Sequence, residues 1–348
     1  MRIVVTGATG NVGTSVLRAL AGDERVEEIV GVARRVPLAA MPRTRWVRAD
    51  VTESPLEPVF AGADVVIHLA WLIQPSRDAV QLRAVNVDGS LRVFEAAARA
   101  GVPALVHASS VGVYSPGPKD RRVDESWPAD GVPTSFYARH KAEAEALLDR
   151  FEGEMRVVRL RPALIFKREA AAEIRRLFIG PLLPSRLLHP RLIPVLPIPA
   201  GLAVQAVHSL DAGEAYRLAA TSPDARGAYN IAADPVLDAA ELGRVVGARP
   251  ITVPPGVVRA AAAATWRAGL QPTPPGWLDM GLGIPTMDTR RAREELGWTP
   301  RYGADEALLE LLDGLRHSAG LDTPPLEPHA GGPLRVREVP PGAARSAP

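Results

Sequence analysis

The feature that most constrains this chain is an alternation sustained over roughly its first 160 residues, in which short apolar runs are followed by segments of helical periodicity. The runs RIVVT (2–6), EIVGVA (28–33), TRWVRA (44–49), DVVIHLA (64–70), ALVHAS (104–109) and MRVVRL (155–160) read as parallel strands buried on both faces. Between them NVGTSVLRALAG (11–22), DAVQLRAVNVDGSLRVFEAAARAG (78–101) and PTSFYARHKAEAEALLDRFEG (133–153) carry apolar residues at helical spacing and end in glycine. Strand and helix in strict turn predict an α/β protein with a doubly wound parallel sheet.

The alternation stops near Phe166. From there to Ala206 the chain is rich in Pro, Arg and Leu, with no legible helix, and VQAVHSLDAGEAYRLAA (204–220) and GAYNIA (227–232) then read as a return to the sheet. DAAELGRVVGA, GVVRAAAAATWRAGL, TRRAREELGW and ADEALLELLDGLRHSAG follow, all of helical period. The expected organisation is a sheet domain over 1–165, rejoined by about 204–233, and a smaller, discontinuous C-terminal lobe over 166–203 and 234–320. Residues 321–348, Pro- and Gly-rich without period, are expected to be a disordered tail.

Composition removes several classes of function. The net charge is only +2, with no basic block, which argues against nucleic acid. The absence of cysteine excludes disulfides, thiolate nucleophiles and Cys-ligated zinc, and no two of the seven His stand four apart, so no metal is expected. The uncharged run LIPVLPIPAGLAVQAVHSL is as long as a membrane span but holds Pro194, Pro197 and Pro199, and reads as a loop plus a strand. With no secretory leader legible, a cytoplasmic monomer or homodimer acting on a small molecule, away from membranes, is expected.

At the first strand–helix junction, Gly7, Gly10 and Gly13 form G-x-x-G-x-x-G. Glycine there permits positive φ and close backbone approach, and the N–H groups of Asn11, Val12 and Gly13 at the helix head suit a pyrophosphate. The TGATG core of this stretch resembles the extended short-chain dehydrogenase/reductases (the NAD-dependent epimerase/dehydratase family). The resemblance continues in order through ADV (Asp50, Val51), HLA (Leu69, Ala70), NVDGS (from Asn86), HASSVGVY and FYARHK, covering roughly residues 1 to 235. It implies a Rossmann fold and a nicotinamide cofactor touched by Asp50, Val51, Leu69, Ala70, Asn86 and Pro162. It also implies a catalytic set of Ser110, Tyr137 and Lys141, with Tyr137 and Lys141 reaching the cofactor as well. Asn86 is expected either to join a proton relay or to brace the sheet. Ser109 competes with Ser110, which stands four residues before Tyr114 as in the family's motif. Tyr114, His68, His107 and His208 are expected to be packing groups.

Tyr137 and Lys141 stand four apart on one helix and so share a face. Bringing a phenol from about 10 to near 7 takes about 4 kcal/mol, which a nearby ammonium supplies by favouring phenolate. The chain has only three lysines and uses Arg for nearly every other cation, and Arg does not surrender a proton. The second strand ends GVARR. Where NAD-preferring relatives place an acid, this chain has Ala33, and Arg34 and Arg35 suit a 2′-phosphate, so NADP is expected, with NAD as the alternative.

Two departures from the family bear on the reaction. Val111 and Gly112 replace the Asp-Glu of the sugar dehydratases, and Pro162 replaces the Asn of many sugar-nucleotide enzymes, as in reductase-type members. The segment Leu177–Val207 is dominated by apolar residues and Pro, while Arg175, Arg176, Arg186 and Arg191 could serve a diphosphate. The expected activity is hydride transfer between NADP(H) and a carbonyl or alcohol of a lipophilic substrate. The alternatives are a nucleotide-sugar epimerase with tightly bound NAD and a non-catalytic NADP-binding redox sensor.

Overall fold

The apolar runs become strands almost residue for residue. A computed structural model describes residues 1–38, 40–74, 76–179 and 194–328. Strands β1 (Arg2–Thr6), β2 (Glu28–Ala33), β3 (Thr44–Arg48), β4 (Val65–His68) and β5 (Ala104–Ala108) join Arg156–Pro162 and Gly227–Ile231 in one sheet. Its order is Gly227–Ile231, Arg156–Pro162, β5, β4, β1, β2, β3, and every pairing is parallel. β1 explains why such runs are continuously apolar. Ile3 and Val5 pack with Val16, Leu17 and Leu20 of helix α1 (Asn11–Ala21) and with Tyr216 of the Ser209–Thr221 helix, while Val4 packs on the other face with Phe60, Phe94 and Leu148. The order runs outward in both directions from β1 and β4. That reversal opens a crevice at the carboxyl ends of the strands, and it positions the site.

The second half departs from expectation. Among the described residues of this half, Gly227–Ile231 is the one strand that rejoins the large sheet. Val204–His208 instead lies in a three-stranded sheet, parallel to Leu164–Phe166 and antiparallel to Ala233–Leu237. Within the run read as a loop plus a strand, Val195–Pro199 is a further strand, which pairs in parallel with Arg249–Val253. Three prolines in that pair (Pro197, Pro199, Pro250) hide it from a reading by pattern, and as a two-stranded edge it tolerates them. The four expected helices appear as Ala239–Val246, Pro255–Arg267, Arg290–Leu296 and Ala304–His317, with an additional one at Gly276–Gly283.

Defined structure continues past Leu321, where the tail was expected to start. Leu326 is fully buried, the Thr323 hydroxyl donates to the Thr9 carbonyl at 2.9 Å, and the Arg176 guanidinium donates to the carbonyls of Glu327 (3.1 Å) and Pro325. This strap lies over the glycine loop. The expectation for 329–348 falls outside the described residues. Among the described residues no helix is long and apolar enough to cross a membrane, and no cluster of three His, Asp or Glu could hold a metal.

Candidate active site

The three glycines behind β1 do different work. Gly7 has φ +69°, and a Cβ there would stand 2.7 Å from the backbone of Leu69 and Ala70. A Cβ on Gly13 would stand 2.4 Å from the Gly7 carbonyl oxygen, so α1 packs directly on the loop. At Gly10 the fold makes no such demand, since a Cβ would meet only that same oxygen, at an ordinary 3.6 Å. The open space before Gly10 is a cradle that a side chain would fill. It lies at the head of α1, where no side chain of the cap residue takes the free N–H groups. These residues fit the pyrophosphate of a dinucleotide by charge and by space. Val12 is half-buried beside them, and Asn11 donates through Nδ2 to the Ile165 carbonyl at 3.1 Å.

Two groups that the sequence did not single out join this corner. Lys167 is buried and donates to the Asn11 carbonyl (2.8 Å), Thr14 Oγ1 (2.7 Å) and Ser15 Oγ (3.2 Å), and burial pulls its pKa down to about 8. The Glu173 carboxyl accepts the Asn11 N–H, and burial pushes its pKa up to about 7 against the opposing pull of Arg176 and Lys167.

At the other end of the crevice, Arg34 and Arg35 follow β2 and are exposed. The Arg34 Nε lies 4.0 Å from Asp50 Oδ2, while Asp50 Oδ1 accepts from the backbone and hydroxyl of Thr52 at 2.9 and 2.7 Å. Val51 is buried beside Gly89. Leu69 and Ala70 leave β4 facing the glycine loop, their N–H groups donating to the Thr6 carbonyl (3.1 Å) and hydroxyl (3.4 Å).

Of the two roles open for Asn86, the structure shows a bracing contact. Its Oδ1 accepts from the Leu72 N–H at 2.7 Å and its Nδ2 donates to the Leu72 carbonyl at 2.8 Å, so the side chain braces the loop after β4. His68, held between Thr6 Oγ1 (2.7 Å) and Ser90 Oγ (2.9 Å), and His107 stacked on it are buried, and desolvation holds both imidazoles neutral. Tyr114 donates to Asn230 Oδ1 at 2.6 Å, and His208 stacks on Tyr302 and lies 3.1 Å from Glu310. These are the packing groups expected.

Tyr137 and Lys141 stand on the helix Phe136–Leu148, whose first turn is capped by the Ser135 hydroxyl accepting from the Ala138 N–H at 3.3 Å. A turn beyond Lys141, Glu145 on the same helix holds the Arg161 guanidinium in a buried two-point pair at 3.0 and 2.6 Å, fixing the helix to the strand ending at Pro162. Ser110 follows β5, accepts the Gly112 N–H at 3.0 Å, and lies within hydrogen-bonding reach of the Tyr137 phenol. Ser109 is buried with its hydroxyl unpartnered among the described residues. The Lys141 ammonium donates to the Ala108 carbonyl at 2.5 Å, and burial pulls its pKa down to about 7.

One expectation is reversed. Burial pushes the Tyr137 pKa up rather than down, with the Ser110 hydroxyl pulling the other way, while the Lys141 ammonium meets the face of Trp71, whose centroid is 3.4 Å away. Aromatic rings complete the surroundings of Tyr137. Trp277 lies 4.9 Å from it between centroids and Trp71 6.1 Å, while Phe178 meets Trp277 edge-on at 4.9 Å. Gln74 donates to the carbonyls of Leu177 (2.9 Å) and Pro272 (3.1 Å) and Thr273 to that of Phe178 (3.0 Å), tying three distant segments into one wall. Of the arginines open to a diphosphate, Arg175 is buried and Arg176 is bonded to the strap; Arg186 and Arg191 lie outside the described residues.

Comparison with known proteins follows the same lines. The profile of the family described as "NAD dependent epimerase/dehydratase family" matches residues 3–232. Two uncharacterised proteins of Mycobacterium tuberculosis are similar to the chain, one 27% identical over 92% of it and the other 28% identical over 94%. The chain spans 31% of the length of the first and 86% of the second. A ketoreductase of Stigmatella aurantiaca, acting on a farnesylated dihydroquinoline N-oxide, is 29% identical over 51% of this chain and 54% of its own. Among solved structures, a short-chain dehydrogenase/reductase superfamily protein from Agrobacterium tumefaciens with bound NAD has a TM-score of 0.68 at 23% identity, covering 91% of this chain and 98% of the other. MoeE5 in complex with UDP-glucose and NAD has a TM-score of 0.62 at 25% identity, covering 91% and 99%.

Proposed function

The chain belongs to the NAD dependent epimerase/dehydratase family, and on that premise we propose that it is an NADP(H)-dependent oxidoreductase acting on a carbonyl or alcohol of a small, lipophilic substrate. Gly7, Gly10 and Gly13 with the N–H groups of α1 would hold the pyrophosphate, and Arg34 and Arg35 the 2′-phosphate. Bound there, a nicotinamide supplies or accepts the hydride. Ser110 holds the substrate oxygen, Tyr137 gives or takes the proton on that oxygen, and Lys141 supplies positive charge within the same buried pocket. Residues 1–165 with the Ser209–Thr221 helix and the Gly227–Ile231 strand would form the cofactor domain, and most of the remainder the substrate lobe.

The observation that carries the substrate class is the wall beside Tyr137. Its ring neighbours are Trp71 and Trp277, with Phe178 behind them, a surface that suits an apolar ketone better than a sugar hydroxyl array. The likeness to a ketoreductase with a farnesylated substrate supports it. A second reading, a nucleotide-sugar epimerase with tightly held NAD, draws on the likeness to MoeE5 with UDP-glucose.

Turnover of hydrophobic ketones with NADPH, in wild type and Tyr137→Phe, tests the proposal. Activity falling at least about a hundredfold in the variant with cofactor binding preserved is expected. Retained activity in Tyr137→Phe would remove the catalytic assignment. Saturable thermal stabilisation by UDP-glucose and none by ketones would favour the epimerase.

A further inference from the structure

Trp71 has no place in the motif that surrounds it, yet the backbone on both sides of it is pinned. Before it, the Ala70 N–H donates to the Thr6 hydroxyl, and after it the Leu72 N–H and carbonyl are both held by the Asn86 side chain. Between these anchors the indole lies across the Lys141 ammonium, Nζ 3.4 Å from the ring centroid, with its edge to Tyr137. The indole N–H is buried and finds no partner among the described residues, so hydrogen bonding does not account for the orientation of the ring. Among the described residues Lys141 has one hydrogen-bonded acceptor, the Ala108 carbonyl, and no carboxylate. The aromatic face is therefore the second group that compensates a cation taken out of water.

We propose that Trp71 is a positioning residue that acts through Lys141, its indole face holding the ammonium in the charged form beside Tyr137. The catalytic meaning of this rests on the Ser110–Tyr137–Lys141 reading; the electrostatic contact itself does not. The charged and titratable groups facing Lys141 are Glu145 on its own helix, paired with Arg161, and the neutral His68 and His107 on β4 and β5. Tyr137 completes the set. Of these only Glu145 favours the ammonium, and its charge is shared with Arg161.

The three lysines make a direct test practical. In protein labelled with [ε-13C]lysine, the Lys141 signal, assigned by its loss in Lys141→Met, is titrated in wild type, Trp71→Met and Trp71→Phe. The Lys119 and Lys167 signals report whether the fold is intact. Trp71→Met, which fills the space without a π face, should lower the Lys141 midpoint by about one pH unit, and Trp71→Phe should recover part of the shift. The alkaline limb of ketone reduction should move down by the same amount. Should Trp71→Met not fold, incorporation of fluorinated tryptophans weakens the face without changing its shape, and the midpoint should fall with the degree of fluorination. An unmoved Lys141 midpoint, with Lys119 and Lys167 also unmoved, overturns the proposal. Full activity in Tyr137→Phe would instead overturn the catalytic reading and leave the titration as it was.

Discussion

Glu173 puts a carboxyl on the Asn11 N–H, at the head of the helix where a dinucleotide's pyrophosphate would rest. Below its pKa of about 7 the group is neutral and yields the N–H without repulsion; above it, a carboxylate competes for the same donor. Cofactor affinity should therefore fall as pH rises from about 6 to 8, by up to about tenfold per unit, which is the limit for one linked proton. Calorimetry over that range should show the slope in wild type and its loss in Glu173→Gln. A slope that survives in the variant would place the linked proton elsewhere. No local pattern announces such a residue. Glu173 lies in the short helix Ala171–Ile174, far along the chain from the loop it touches, and only the crossing of the lobe over the sheet brings the two together.

At the scale of elements, the end of β2 is where the proposed preference between cofactors would be set. Arg34 and Arg35 are exposed there, and the acid nearest to Arg34 is Asp50, 4.0 Å from its Nε. NADPH should bind at least about tenfold more tightly than NADH, the range of one charge-assisted bond discounted for solvent. Arg34→Ala combined with Arg35→Ala should erase that margin and spare NADH affinity. Equal affinities in wild type would refute it. Elements also show where a sequence is readable. β1, β2, β4 and β5 were legible because burial on both faces imposes continuous apolar runs, and the motifs at their carboxyl ends are local; β3, expected to be buried on both faces, is the edge of the sheet and only partly buried. The Val195–Pro199 and Arg249–Val253 pair was not legible, since its prolines erase the pattern of a strand. Trp71 and Trp277 were missed for a further reason. Their role depends on which rings meet across the cleft, and that is decided by the packing of Gly276–Gly283 against the Tyr137 helix.

Over the whole molecule, the three lysines share one condition. Lys119 donates to the carbonyls of Ala203 (2.7 Å) and Gly281 (3.0 Å), Lys141 to Ala108 and Lys167 to Asn11, and burial lowers their pKa values to about 8, 7 and 8. Unfolded, each titrates near 10.4, so above about pH 8 the unfolded chain binds more protons than the folded one, and stability rises with pH. Glu173, whose raised pKa acts in the opposite sense, has finished ionising by then. Urea unfolding should show the free energy climbing by at least about 2 kcal/mol between about pH 8 and 9.5, with a shallower rise in Lys119→Met or Lys167→Met. A flat profile would mean that these ammonium groups are better solvated than their burial implies.

The strap over the glycine loop has a consequence for how the protein is made. Thr9 leaves the ribosome 314 residues ahead of Thr323, whose hydroxyl closes on its carbonyl. Domains begin to fold as they emerge, so β1, α1 and the sheet can assemble while the strap is still unmade. Through that interval the glycine loop lacks the hydrogen bond that Thr323 later donates to it. The glycine loop and α1 must therefore hold their shape against the sheet alone until Thr323 arrives to close on the Thr9 carbonyl.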